Sequence, residues 1–166
     1  NARDEAGNLS ETSPGFTLIV DTLPPAPPTI TLAIDNIDPV TGSLTSGRTT
    51  NDPQPVLTGT SEPNARIQIF ADDVLVGEGI ANADGNWSIE VNTPLSDALH
   101  SFTAVATDAA GNASDPSAIF TLTVDTQVPV APVLATVTDD VGETVTLTDG
   151  QLTNDARPTL SGTAEA

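Results

Sequence analysis

Short apolar runs rich in Thr, Val and Ile alternate along the chain with clusters of Gly, Pro, Asn and Asp, and no segment sustains the spacing of an amphipathic helix. This pattern predicts strands. Seven are read between the proline-dense stretch at 22–28 and Asp125, over 29–33, 55–61, 65–71, 75–81, 86–92, 100–107 and 118–124. Period-2 alternation puts one set of side chains on an inner face: Leu57 and Gly59; Ile67 and Ile69; Trp87, Ile89 and Val91; Phe102, Ala104 and Ala106; Phe120, Leu122 and Val124. Trp87, the only Trp, is read as a plug between two sheets. Asp84-Gly85-Asn86 supplies the turn before its strand. The 35–54 connection is longer than an ordinary loop. Together these features predict an all-β, immunoglobulin-like β-sandwich.

The chain also repeats itself. Asp4-Glu5-Ala6-Gly7-Asn8 and Phe16-Thr17-Leu18-Ile19-Val20-Asp21-Thr22 recur 104 residues later as Asp108-Ala109-Ala110-Gly111-Asn112 and Phe120-Thr121-Leu122-Thr123-Val124-Asp125-Thr126. Thr50-Asn51-Asp52 and Leu57-Thr58-Gly59-Thr60 recur 103 residues later as Thr153-Asn154-Asp155 and Leu160-Ser161-Gly162-Thr163. A fixed period of domain size is the signature of a tandem array. The expected organisation is the C-terminal part of one repeat (1–21), a complete repeat (22–125) and the N-terminal part of a third (126–166). The proline-dense joints at 21–28 and 125–132 read as extended, semi-rigid linkers.

Charge narrows the function. Twenty-three acidic residues against four basic give a net charge of −19, which excludes a nucleic-acid binder of the usual basic kind and argues against anionic membrane surfaces. No run reaches the length of a membrane-spanning helix. Without Cys there is no disulfide framework, and a metal ion is the other common staple of a small extracellular domain.

The order of the strands sorts the loops to two ends of the sandwich. Glu62, Asp84 and Asp108 come to the proximal end, where the incoming linker arrives beside Asp21. Asp35, Asp38, Asp52, Asp72 and Asp73 come to the distal end, beside Asp125. When copies stack, a distal end meets a proximal one, so Asp38, Asp52, Asp73 and Asp125 are expected to face Glu165 of the following copy. Crowded carboxylates repel unless a cation lies between them, and an all-oxygen set suits Ca²⁺ rather than a transition metal. The candidate metal ligands are thus Asp21, Glu62, Asp84, Asp108, Asp38, Asp52, Asp73, Asp125 and Glu165. Each Asp also has a plain reading as a turn residue that caps its own loop.

The motifs Asn51-Asp52 followed by Leu57-Thr58-Gly59-Thr60-Ser61-Glu62-Pro63, then Ala83-Asp84-Gly85-Asn86-Trp87-Ser88, Thr107-Asp108-Ala109-Ala110-Gly111-Asn112 and Val124-Asp125-Thr126, in this order, resemble the bacterial Ig-like repeats of giant non-fimbrial adhesins. They are similar also to the calcium-dependent extender repeats of large RTX adhesins. The resemblance implies a stalk segment of a secreted bacterial surface adhesin, exported by type I secretion and stiffened by Ca²⁺ at module junctions. Its partners would be neighbouring repeats, with receptor contact made by other regions. Two alternatives carry less weight. A glycan- or protein-binding module would want aromatic platforms, and aromatic residues are only 3% of the chain. An enzyme would need more than the single His100, which follows Ser96 and Asp97 with no nucleophile elbow beside it.

Overall fold

The computed structural model describes residues 1–165, and no helix forms among them. The chain divides into two compact units, Asn1–Thr126 and the stretch from Gln127 onward. In the first, nine strands follow in order: β1 (Thr29–Asp35), β2 (Gly42–Leu44), β3 (Arg48–Thr50), β4 (Val56–Thr60), β5 (Arg66–Ala71), β6 (Val74–Ile80), β7 (Asn86–Glu90), β8 (Ala98–Thr107) and β9 (Phe120–Val124). They form two sheets, ordered β2-β1-β4-β7 and β3-β9-β8-β5-β6. All neighbours are antiparallel except β3 and β9, which run parallel with Arg48 opposite Leu122 and Thr50 opposite Val124. All seven predicted strands are present. The long 35–54 connection holds two more, β2 and β3, one added to the edge of each sheet.

The core lies between the sheets. Every large side chain predicted to face inward is buried, with Leu57, Ile67, Phe102 and Leu122 fully so. Full burial of such a side chain contributes about 1.5–3 kcal/mol. Glycines let the layers approach. A Cβ on Gly59 would lie 1.9 Å from the Thr29 carbonyl oxygen and 2.3 Å from Cζ2 of Trp87, so the indole packs directly on the β4 backbone. Gly77 and Gly79 do the same for the edge between β6 and β7, where an added Cβ would come within 2.9 Å of Ile89. The Asn92 amide then donates to the Val76 carbonyl (2.7 Å), closing that side of the sandwich.

On β1 the alternation reverses. The register with β4 shifts between Ile30 and Leu32. Ile30 packs on the core, and so does Ala33, three residues on rather than two or four. The β-bulge inserts one residue and turns the rest of the strand over. Its consequence is that Asp35 points inward and is buried, at 3% exposure.

The second unit contains β10 (Val133–Asp139), β11 (Val145–Leu147) and β12 (Thr159–Thr163) in one antiparallel sheet, ordered β11-β10-β12. These strands pair as β2-β1-β4 do, with the same register shift, here between Leu134 and Thr136. Residues 1–21 group with the first unit. They hold a tight turn closed by a bridge between Arg3 and Leu9, and form no strand over 11–21.

Candidate functional site

The strand registers carry the acidic loops to two ends. At the proximal end Thr29 lies opposite Thr60, Thr60 opposite Asn86, and Arg66 opposite Thr107. The turns bearing Glu62, Asp84 and Asp108 therefore share that end with the incoming linker. Ser61 donates its amide to the Gly85 carbonyl (2.8 Å), which ties the Glu62 and Asp84 turns together. Gly85 takes φ +81°, and an added Cβ would meet the Ser61 carbonyl at 2.4 Å. Asp108 is knotted into its own turn. Its Oδ1 accepts the amides of Ala110 and Asn112 (2.9 and 2.8 Å), and its Oδ2 accepts the Asn112 side-chain amide (2.8 Å). The same Asn112 Nδ2 donates to the Asp21 carbonyl (3.2 Å), bringing the incoming chain to this turn. Asp21 in turn accepts the Leu23 amide on Oδ1 (3.0 Å).

The distal end is built around two buried carboxylates. Asp35 Oδ2 accepts the Thr50 hydroxyl (2.6 Å) and its Oδ1 accepts the Ile37 amide (2.9 Å). Asp52 accepts the Asn36 and Gln54 amides (3.0 and 2.8 Å), and the Asp52 amide donates to the Thr50 hydroxyl oxygen (3.0 Å). Thr50 thus links the two aspartates, and its carbonyl accepts the Asp125 amide (2.9 Å). Asn51 Nδ2 donates to the Asp38 carbonyl (2.9 Å). The set holds the long loop against the last strand at the point where the chain leaves the sandwich. It recurs in the second unit: Asp139 accepts the Thr153 hydroxyl (2.6 Å) and the Val141 amide (2.9 Å), and Asp155 accepts the Arg157 amide (2.7 Å).

Next to it, Asp72 and Asp73 form the two-residue turn between β5 and β6 with φ of 48° and 67°, which suits the primed turns of hairpins. Buried His100 joins this turn to the 96–97 loop. Its Nδ1 lies 2.7 Å from Asp72 Oδ2 and its Nε2 2.9 Å from the Ser96 carbonyl oxygen. Both ring nitrogens thus face acceptors, and neither faces a hydroxyl nucleophile. Asp97 then accepts both the amide and the hydroxyl of Thr126 (3.0 and 2.9 Å), fixing the first residue of the outgoing linker. The motif repeat marks the Asp52 loop in the sequence. Nothing marks Asp97, an unremarkable turn residue until Thr126 is seen against it.

Of the residues proposed as metal ligands, Asp52 is buried, Asp108 is half-buried, and Asp21, Asp38, Glu62, Asp73, Asp84, Asp125 and Glu165 are exposed. Glu165 accepts the Val130 amide within its own unit (2.8 Å). Among the described residues, no group of three or more His, Asp or Glu side chains converges as a metal site. The donors on offer at each end are oxygens, apart from the engaged ring of His100.

Hydrogen bonding lowers the pKa of three carboxyls. Asp108 is held below the usual carboxylate range first by the Asn112 side chain, and Asp4 likewise by Asn8; Asp72 is lowered first by the Ser101 amide and then by His100. Folded-state values below the unfolded ones mean that this stabilisation is complete above about pH 4 and is lost as the pH falls through the folded values. Acid also relieves the repulsion within a chain of net charge −19, but that relief is common to close variants. Asp108→Ala is therefore expected to lose less melting temperature than wild type between about pH 5 and about pH 2.5. Parallel losses in thermal melts would show that the Asp108 knot contributes nothing to acid sensitivity.

The family model described as a bacterial Ig-like domain matches residues 25–126. Comparison with curated proteins finds no match.

Proposed function

Because the chain belongs to the bacterial Ig-like domain family, whose domains are common in surface and secreted proteins, we propose that it is a stalk segment of a large bacterial surface adhesin. In this reading it is a run of tandem Ig-like repeats, secreted by a type I route, that spaces an adhesive region from the cell and supports adhesion or biofilm. The observation that carries the reading is the delivery of acidic side chains to both ends of the sandwich, where the linkers enter and leave. Asp52 is fixed there through Thr50 to the amide of Asp125.

Ca²⁺ is the cation that this donor chemistry suits, since carboxylate and carbonyl oxygens are its usual ligands. Among the described residues, no three carboxylates converge as a metal site within one module. The proposed ion is accordingly shared between the distal end of one module, through Asp38, Asp52, Asp73 and Asp125, and the proximal end of the next. Asp21, Glu62, Asp84, Asp108 and Glu165 are the proximal candidates. Buried Asp52 would act as the fixed member, because its loop is already tied at both carboxylate oxygens. The exposed side chains would close on the ion from either side.

Extracellular calcium modules bind at roughly 10⁻⁴–10⁻³ M. At about 10 mM Ca²⁺, some ten times a Kd of about 1 mM, linkage raises stability by about 1.4 kcal/mol. Calorimetric melts of the chain in Ca²⁺ and in EDTA are expected to show that rise, and Asp125→Asn is expected to reduce it. Identical melts in the two buffers would remove calcium from the account.

A further inference from the structure

His100 is the only histidine in the chain, and the cation site proposed above does not use it. It lies on β8 on the core side, 7% exposed, with the Phe102 ring centroid 6.5 Å away. Its two ring nitrogens meet oxygens from two different loops: Asp72 Oδ2 of the β5–β6 turn at 2.7 Å and the Ser96 carbonyl at 2.9 Å. Neither oxygen brings a hydrogen. A carbonyl has none. The Asp72 carboxyl is held below the usual carboxylate range, first by the Ser101 amide and then by His100, so it is ionised at neutral pH. Both bonds therefore exist together only when both ring nitrogens carry hydrogen, which makes the ring an imidazolium.

The two sides of the ring are not held equally. Asp72 is also fastened to β8, because its Oδ1 accepts the Ser101 amide (3.0 Å) and its own amide donates to the Ser101 carbonyl (2.9 Å). A ring that loses one proton keeps the one facing the carboxylate, since a bare nitrogen lone pair is repelled more by an ionised oxygen than by a neutral carbonyl. The bond lost is then the one to Ser96. The next residue is Asp97, whose Oδ1 accepts both the amide and the hydroxyl of Thr126. On either side the loop is anchored independently: the Leu95 amide donates to the Pro53 carbonyl (2.9 Å), and Ala98 lies opposite Val124. Release from the ring is thus confined to residues 96 and 97 and to what Asp97 holds.

We propose that His100 is a proton-operated clasp on the start of the outgoing linker: the doubly protonated ring holds the 96–97 loop so that Asp97 fixes Thr126, and the neutral ring lets both go. Histidine is the side chain that commonly changes charge between about pH 5 and about pH 8. The elements packed against the ring bring Asp72 and Asp73 from the turn, Asp97 from the loop and Asp125 from the end of β9, and β8 and β9 carry no other charged residue. Carboxylates change charge near pH 4, so across the neutral range the ring is the group that switches.

The clasp does not depend on calcium and is tested on the whole chain in EDTA. Nitrogen NMR of the ring is expected to show both nitrogens protonated at about pH 5.5 and, once the ring is neutral, hydrogen on Nδ1 alone. Across the same titration the exchange protection of the Thr126 amide, corrected for the intrinsic effect of pH, is expected to fall by about tenfold or more, as loss of one buried hydrogen bond implies. His100→Gln removes the titrating group, and its Thr126 protection is expected not to change with pH. Asp97→Ala alters an exposed side chain and is expected to leave the ring titration in place while abolishing Thr126 protection at every pH. Thr126 protection that stays level in wild type while the ring titrates, or that falls equally in His100→Gln, overturns the proposal. So does a neutral ring with its hydrogen on Nε2, or a ring that keeps one charge state from about pH 5.5 to about pH 9.

Discussion

Replacing Gly59 by Ala is expected to lower the melting temperature of the first unit by about 15 °C or to prevent its folding. The added methyl has nowhere to go. It would sit 1.9 Å from a backbone carbonyl on β1 and 2.3 Å from the Trp87 ring, and neither neighbour is the loose end of a flexible side chain. Overpacking of this kind costs about 3 kcal/mol or more when backbone must shift, against a total of about 5–15 kcal/mol for a domain. The second unit has the same constraint at Gly162, where a Cβ would lie 2.2 Å from the Val133 carbonyl oxygen. Gly111→Ala is the informative contrast. Gly111 has φ +94° but open space around it, so the substitution brings only the backbone strain of about 1–2 kcal/mol. If Gly59→Ala and Gly111→Ala melt together, the close contact of Trp87 on β4 is wrong.

Trp87→Ala is the second large effect, expected to cost about 3–5 kcal/mol through the cavity it leaves between the sheets. Trp87→Phe should behave quite differently. The indole Nε1 is buried with no hydrogen-bond partner among the described residues. Removing that donor returns about 1–3 kcal/mol of desolvation cost and offsets most of the lost ring volume. The Phe variant is therefore expected within about 1 kcal/mol of wild type in urea titrations followed by circular dichroism. Equal losses for Phe and Ala would mean that the Nε1 proton makes a bond that matters.

The sandwich was legible because its inner faces obey a strict period of two. From β4 onward each buried side chain named from the alternation is buried in the structure. The same rule fails on β1 for a local reason: the bulge after Ile30 turns the strand over. Continued from Ile30, the alternation leaves Asp35 on the outer face. The bulge instead turns it inward, where Thr50 and a backbone amide meet its charge. Strands of three residues, such as β2 and β3, are too short to carry a period at all.

The two acidic ends were legible too, because strand order fixes which loops share an end. What each carboxylate does there was not. Asp108 looks the same in sequence whether it caps its own turn or reaches for an ion. In the structure it accepts three amide hydrogens of its own turn at 2.8–2.9 Å, and the copy at Asp4 closes the same knot with Asn8 at 2.7 and 2.9 Å. Asp97 was read only beside His100, and its partner Thr126 lies 29 residues away. Pairings of that range depend on how β8 and β9 bring their ends together, which no local pattern encodes.

Small-angle scattering of the 166-residue chain measures the joint beyond Thr126 most directly. In about 5 mM Ca²⁺ the maximum dimension is expected to be larger, and the scattering that of a stiffer particle, than in EDTA, with Asp125→Ala showing the EDTA behaviour in both buffers. Superimposable wild-type curves with and without Ca²⁺ would contradict a calcium-stiffened stalk.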